Sequence, residues 1–249
     1  MKIEENHKFY RKMGFYEKYI KRVIDIVCSG LAIIVFSWLY IVIAILVRIK
    51  LGSPVIFTQY RPGLIDPNTG KERIFKLYKF RTMTDKRDAE GNLLSDEMRL
   101  TKFGAWLRST SLDELPEAFC ILSGTMTLIG PRPQLVRDMV FMSDEQRMRH
   151  TAKPGLSGLA QVSGRNSISW DKKLEYDLQY IDNISFVGDV RIIFQTIIKA
   201  FVRQEGITEK ENVTAADYGD YLLLNNRISK EEYNLKQYEA RELLKENEL

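Results

Sequence analysis

The chain has 249 residues and a mass of 29.0 kDa, enough for one or two domains around a real hydrophobic core. Hydrophobic residues make up 45% and charged residues 28%, which excludes a disordered chain, and no collagen-like or low-complexity bias is present. The formal charge of +4 is uneven: residues 207–249 hold 10 acidic and 6 basic side chains, whereas the rest holds 31 basic and 23 acidic, so a body suited to an anionic partner precedes an acidic tail.

Taken in chain order, residues 1–22 read as a basic amphipathic helix lying at an interface, with Phe15, Tyr16, Tyr19 and Ile20 as its apolar members. Residues 26–47 then run 22 positions without a charge. As one helix they would measure roughly 33 Å, enough to cross a hydrocarbon core. The run is too long for a signal-peptide core and no small-residue cleavage site follows it. Arg11, Lys12, Lys18, Lys21 and Arg22 precede it and Arg48, Lys50 and Arg61 follow, so the positive-inside rule gives no orientation. Two topologies remain, a span and a re-entrant bend that returns both flanks to the cytoplasmic side. The bend is the expectation adopted, with Gly30 or Ser37 at its vertex. Cys28 and Cys120 have no metal-type spacing and read as reduced thiols.

Residues 53–64, SPVIFTQYRPGL, read as a strand closed by Pro62 and Gly63. DPNTG at 66–70 is a turn, and RIFKLYKFRTM at 73–83 the next extended piece. Residues 84–98 read as a polar loop or short helix, and 99–122 as helical and amphipathic. Proline is tolerated in the first turn of a helix, so the helix holding Pro116 is expected to start near Asp113. GPRP at 130–133 is a rigid turn, Ser143 caps a helix over 143–150, and 154–166 form a glycine-rich loop with a little strand. Two more helices are expected at 169–182 and 186–203, the second with a broad apolar stripe, and a tail helix starts at a capping box, Ser229 to Glu232.

No GxGxxG, P-loop, HExxH or GxSxG pattern occurs, and two histidines, His7 and His150, leave little room for a triad or a histidine metal site. Chemistry must therefore rest on carboxylates, arginines and a hard cation. Asp113-Glu114, in RSTSLDELPE, admits two readings: a helix cap, or an ionised nucleophile held where a helix N-terminus also attracts phosphate oxygens. Arg108 lies five residues earlier, and Arg132 sits between two prolines that fix its backbone and aim a guanidinium suited to bidentate phosphate binding. Lys76, Lys79 and Arg81 read equally well as an exposed strand face, and Arg165 as a loop charge.

Six ordered blocks resemble one family: KRVID (21–25), GSPVIFTQYRPG (52–63), FKLYKFRTM (75–83), LSDEMRLTKFGAWLRSTSLDELPE (94–117), IGPRP (129–133) and PGLSGLAQVSGRN (154–166). They are similar to the bacterial sugar transferases, the small monotopic phosphoglycosyl transferases that begin lipid-linked glycan assembly, and most closely to short members of protein glycosylation pathways. The resemblance implies an α+β protein: an N-terminal membrane-inserted, re-entrant helix, then a compact, mainly helical cytoplasmic domain with a small β element and interfacial amphipathic helices. It divides the chain into 1–50 (interfacial and membrane-inserted helices), 51–206 (catalytic domain) and 207–249 (acidic helical extension).

It further implies Asp113 as nucleophile with Glu114 as its partner, phosphate binding by Arg108 and Arg132, and substrate contacts from Lys79, Arg81 and Arg165, which lie inside matched blocks. Mg²⁺ would be the cofactor, at Asp113 and Glu114. The implied reaction takes a UDP-sugar, with an N-acetylated aminosugar the leading expectation, expels UMP and passes the phosphosugar to polyprenyl phosphate. The expected partners are these two substrates and the bilayer, without nucleic acid. The extension is a candidate self-association helix for a homodimer, or a partner helix, and the expected location is the cytoplasmic face of the inner membrane. One departure stands out: where the family breaks its membrane helix at Ser-Pro, this chain has Ser37-Trp38. Two rivals remain: a basic adaptor that binds anionic lipid or nucleic acid, and an enzyme without a covalent step in which Glu114 acts as base.

Overall fold

A computed structural model describes residues 9, 11–164, 168–202 and 217–248. The architecture is mixed α+β and mainly helical. A π-helical turn, Tyr16–Ile20, runs into α1 (Lys21–Val35), and α2 (Ser37–Lys50) follows after a single residue. Residues 11–14 are not helical, which shortens the expected interfacial helix, and residues 1–8 and 10 lie outside the described set. Among the described residues no single helix is long and apolar enough to cross a membrane, but the pair Tyr16–Val35 and Ser37–Lys50 together is, bent by 62°. The vertex is Phe36 (φ −94°, ψ 10°), next to Ser37; Gly30 lies unbroken inside α1.

Both arms of this pair grip the same body. On α1, Lys21 pairs with Asp189 and donates to the Tyr180 hydroxyl at 3.2 Å. Arg22 donates to the carbonyls of Ile121 and Leu122 at 2.6 and 2.7 Å, satisfying the end of the helix at 117–123. Buried Asp25 accepts from Thr127 Oγ1 and Leu128 N, both at 2.9 Å. On α2, Ile43 and Val47 pack against Leu51, Phe80 and Leu107, and the Tyr40 hydroxyl donates to the Leu115 carbonyl at 2.7 Å. Between the grips Leu31, Ile34, Phe36, Trp38 and Ile41 are exposed, an apolar knuckle with nothing covering it among the described residues.

Strands β1 (Ile56–Ile65) and β2 (Glu72–Phe80) pair antiparallel. β1 runs past the expected stop: Pro62 still pairs with Ile74, and the ladder only shifts register before Ile65. Their connection is the turn read from DPNTG, closed by Gly70 N to the Asp66 carbonyl at 2.8 Å and by Asn68 N to Asp66 Oδ1 at 2.8 Å. The expected helix over 99–122 is divided: α3 (Asp96–Arg99), α4 (Lys102–Ser109), a 3₁₀ turn (Leu112–Glu114) and α5 (Glu117–Ser123). Thr101 caps α4 through Gly104 N at 3.0 Å, and Ser111 breaks the chain with a left-handed φ of 56°.

A short strand, β3 (Thr127–Ile129), precedes α6 (Val136–Met139) and α7 (Asp144–Arg147), the latter capped by Ser143 as expected. β4 (Gly155–Ser157) pairs parallel with β3. Then come α8 (Leu159–Ser163), α9 (Trp170–Asp182) and α10 (Phe186–Val202), whose buried members Tyr180, Ile181 and Ile192 form a core with Ile129, Ala152 and Val162. In the extension, α11 (Tyr218–Leu224) and α12 (Lys230–Glu248) fold back on the body; Ala240, Leu243 and Leu244 pack on Val136, Met139 and Val140. Gly219 presses so closely on the Phe141 ring that a Cβ there would lie 2.5 Å from it. Both cysteines are free, Cys28 exposed and Cys120 buried.

Asp25 is the polar key between α1 and the β3 strand. Asp25→Ala strands the Thr127 hydroxyl and the Leu128 amide and is expected to lower stability by about 2–3 kcal/mol. Thermal unfolding of the detergent-solubilised protein checks this; an unchanged midpoint would contradict the clamp.

Candidate active site

Asp113 and Glu114 sit on the 3₁₀ turn between α4 and α5, where the left-handed Ser111 turns the chain back toward β2. Glu114 Oε1 accepts from Lys79 Nζ of β2 at 2.7 Å and from Arg132 Nη2 of the GPRP turn at 2.8 Å. Lys79 also reaches Glu117 Oε1, at the first residue of α5, at 3.0 Å. Arg108 on α4 donates to Thr82 Oγ1 at 3.0 Å, an approach permitted by Gly104, where a Cβ would meet the Thr82 carbonyl at 1.8 Å. Arg108, Lys79 and Arg132 all act electrostatically on Asp113.

Asp113 is 8% exposed, and among the described residues its carboxylate makes no hydrogen bond or ion pair. The helix-cap reading therefore fails: Pro116, not Asp113, precedes α5, and no side chain caps that helix. Burial, and then the neighbouring Glu114 charge, push the Asp113 carboxyl from its ordinary 3.8 up to about 6, against the pull of Lys79, Arg108 and Arg132. Burial acts on Glu114 in the same sense, but Arg132 and Lys79 outweigh it and hold that carboxyl well below the usual range. Burial raises Glu117, with Lys79 opposing. Two adjacent acids thus have opposite environments: one neutralised by cations, the other buried and open.

The structure brings together five of the residues expected from the sequence: Asp113, Glu114, Arg108, Arg132 and Lys79. Arg81 is not among them. Its guanidinium donates to the carbonyls of Met83 and Ser53 at 2.7 and 2.6 Å and pairs with Asp85 at 2.7 Å, so here it fastens the chain beyond β2. Arg165 lies outside the described residues. Glu117 went unread, although its place just after Pro116 was the available signal. Among the described residues no group of three His, Cys, Asp or Glu side chains converges to cage a metal. Glu114 is committed to two cations, which fits poorly with the expected magnesium pair.

The cluster is thus a buried carboxylate beside a neutralised one, ringed by arginines and a lysine. The chain belongs to the bacterial sugar transferase family, whose sequence profile matches residues 16–203, and it is a transferase. It is 46% identical over 196 residues to the uncharacterized sugar transferase EpsL of Bacillus subtilis (strain 168), covering 79% of this chain and 94% of that protein. It is 39% identical over 194 residues to the UDP-glucose:undecaprenyl-phosphate glucose-1-phosphate transferase of Klebsiella pneumoniae, covering 74% of this chain but 40% of that one. It is 38% identical over 188 residues to the UDP-N-acetylgalactosamine-undecaprenyl-phosphate N-acetylgalactosaminephosphotransferase of Aeromonas hydrophila, covering 72% and 43%. The chain thus spans less than half the length of the latter two. Helices α11 and α12 lie beyond the family match.

The raised Asp113 value has a consequence for stability. The folded state binds that proton more tightly than the unfolded chain, so the ionised form destabilises the fold above about pH 6, and the effect vanishes below the ordinary 3.8. A shift of this size corresponds to about 2–3 kcal/mol. Asp113→Asn is expected to raise the unfolding midpoint at pH 8 and to leave it unchanged near pH 4. Destabilisation at pH 8 would contradict the buried, unpaired placement.

Proposed function

We propose that this protein transfers a sugar 1-phosphate from a UDP-sugar to undecaprenyl phosphate through a covalent intermediate on Asp113. The observation that carries this reading is the contrast within the dyad: Glu114 bound by Lys79 and Arg132, Asp113 buried and unengaged. An Asp113 oxygen attacks the β-phosphorus, and the bond to the bridging oxygen breaks with its electron pair leaving on UMP. The acyl phosphate keeps the sugar phosphate on the enzyme. An oxygen of the lipid phosphate then attacks the same phosphorus, Asp113 leaves as carboxylate, and polyprenyl diphosphate-sugar results. Arg108 and Arg132 hold the non-bridging oxygens, and Lys79 keeps Glu114 from repelling them. Asp113 is the residue that would hold a magnesium ion, which would supply neutralising charge for the phosphates.

The names of the relatives support this substrate pair, undecaprenyl phosphate with a sugar donor. Glu114 suits the part of base poorly, because a general base works best with a pKa near the working pH and Arg132 and Lys79 hold this one ionised. The re-entrant topology rests on the 62° bend and on both arms packing against one body, which a straight span would pull to opposite sides of a bilayer. With the apolar knuckle in one leaflet, the site lies at the cytoplasmic headgroup plane, where the lipid's phosphate resides. The donor sugar we propose is an N-acetylated aminosugar, as in the name of one relative; another is named for glucose.

Membranes or nanodiscs carrying the full chain, given a panel of UDP-sugars, are expected to release UMP from one donor class, and Asp113→Asn is expected to abolish release while still fractionating with membranes. Near-normal turnover by that variant would exclude the nucleophile. The rate should fall as pH drops below about 6, when the Asp113 carboxyl is protonated. Single-cysteine labels placed before α1 and after α2 are expected to react from the same side of sealed vesicles; labelling from opposite sides would overturn the re-entrant topology.

A further inference from the structure

The GPRP turn presents an unusual holding problem. Pro131 and Pro133 have no amide hydrogen, so the backbone around Arg132 can be fixed mainly through its carbonyls. Each is held. Gly155 N donates to the Pro131 carbonyl at 2.9 Å, Arg149 Nη2 to the Arg132 carbonyl at 2.6 Å, and Arg61 Nη1 to the Pro133 carbonyl at 3.0 Å. Two guanidiniums, from distant parts of the chain, thus hold consecutive carbonyls of the segment that aims a third.

Both are themselves locked. Arg149 is 1% exposed; its Nε donates to Asp177 Oδ2 at 2.9 Å, and its Nη1 donates to His150 Nε2 at 3.1 Å. Burial and the Arg149 charge keep His150 neutral, its value down to about 4, so Nε2 can accept while Nδ1 donates to Glu72 at 3.0 Å. Arg61 Nη2 donates to Gln59 Oε1 at 2.6 Å, while its Nε is buried with no hydrogen-bond partner. Burial, and then nearby Arg132, lower Arg61 to about 10. An orphaned donor beside a second cation is unfavourable for the fold. Its retention is accounted for by the carbonyl that the same guanidinium holds.

We propose that Arg61 and Arg149 are positioning residues for Arg132, acting through the backbone carbonyls of Pro133 and Arg132 and touching no substrate. This rests on the reading that Arg132 binds the transferred phosphate. Arg132 keeps 40% of its side chain exposed, so its direction is set largely by the backbone beneath it and by Glu114. Displacement of a phosphate-binding group by about 1 Å can cost 10²-fold in rate.

The test is a double-mutant cycle on the full chain in nanodiscs, with single-turnover UMP release and hydrogen exchange of residues 129–135 as readouts. Arg61→Lys and Arg149→Lys keep the charge but lose the fork. Each is expected to slow single-turnover release at least about tenfold, to change little further in an Arg132→Ala background, and to speed exchange at 129–135 while α9 stays protected. Losses that multiply with Arg132→Ala, or exchange that stays unchanged, would overturn the proposal. If Arg149→Lys fails to fold, Arg61→Lys decides alone. Wild-type protein that releases no UMP from any donor would overturn the reaction assigned above, and the exchange readout would still decide the pinning.

Discussion

One half-buried carboxylate oxygen, Glu114 Oε1, accepts from Lys79 and Arg132 at once, and the remaining features of the site depend on it. It joins three parts of the chain that are far apart in sequence: the end of β2, the turn before α5 and the GPRP segment. It also divides the labour of the dyad. Removing either cation leaves the half-buried Glu114 charge less compensated, so the three residues are coupled. With Glu114 neutralised, Asp113 can be buried beside it and remain ionised at neutral pH, although its value has risen to about 6. The fold accepts an unfavourable group where the chemistry needs one, a trade expected at functional sites.

The second constraint is that the apolar helix pair is part of the body. Lys21, Arg22 and Asp25 each reach a different element: α10, the end of α5 and the β3 segment. Because Arg22 holds one end of α5 while Glu117 opens the other, the helix that carries the site's edge is tied directly to the apolar knuckle. Under the proposed function this rigidity has a use: with the knuckle in the bilayer, its depth would set the height of the Asp113 carboxylate. Charged residues at the base of the helix, read from the sequence only as flanking charge, supply it.

Much of the site was legible because it is local. Asp113-Glu114 lies in one motif, Arg132 is marked by its prolines, and Lys79 shares the strand face of buried Phe75 and Leu77, the face on which Glu114 and Glu117 lie. Arg81 shows the limit of that alternation: β2 ends at Phe80, so Arg81 leaves the pleat and finds backbone carbonyls instead. The helix over 99–122 broke for reasons that pattern alone does not weigh, a left-handed serine and a threonine cap within an otherwise suitable apolar period. β3, at three residues, was too short to stand out and exists through its parallel partner β4. Arg61 and Arg149 were invisible as support because their role arises from contacts 72 and 17 positions away. The extension read only as a tail helix, since its packing on α6 is likewise a matter of tertiary contact.

The structure sets side by side an apolar knuckle, a cationic ring, a neutralised acid and a second acid left unengaged. The most direct test is intact-protein and peptide mass spectrometry of the full chain incubated with its UDP-sugar in the absence of any lipid acceptor. The account predicts a phosphosugar adduct on the peptide holding Asp113, formed with one equivalent of UMP and discharged when polyprenyl phosphate is added. UMP release that strictly requires the acceptor, with no adduct at any time, would contradict it.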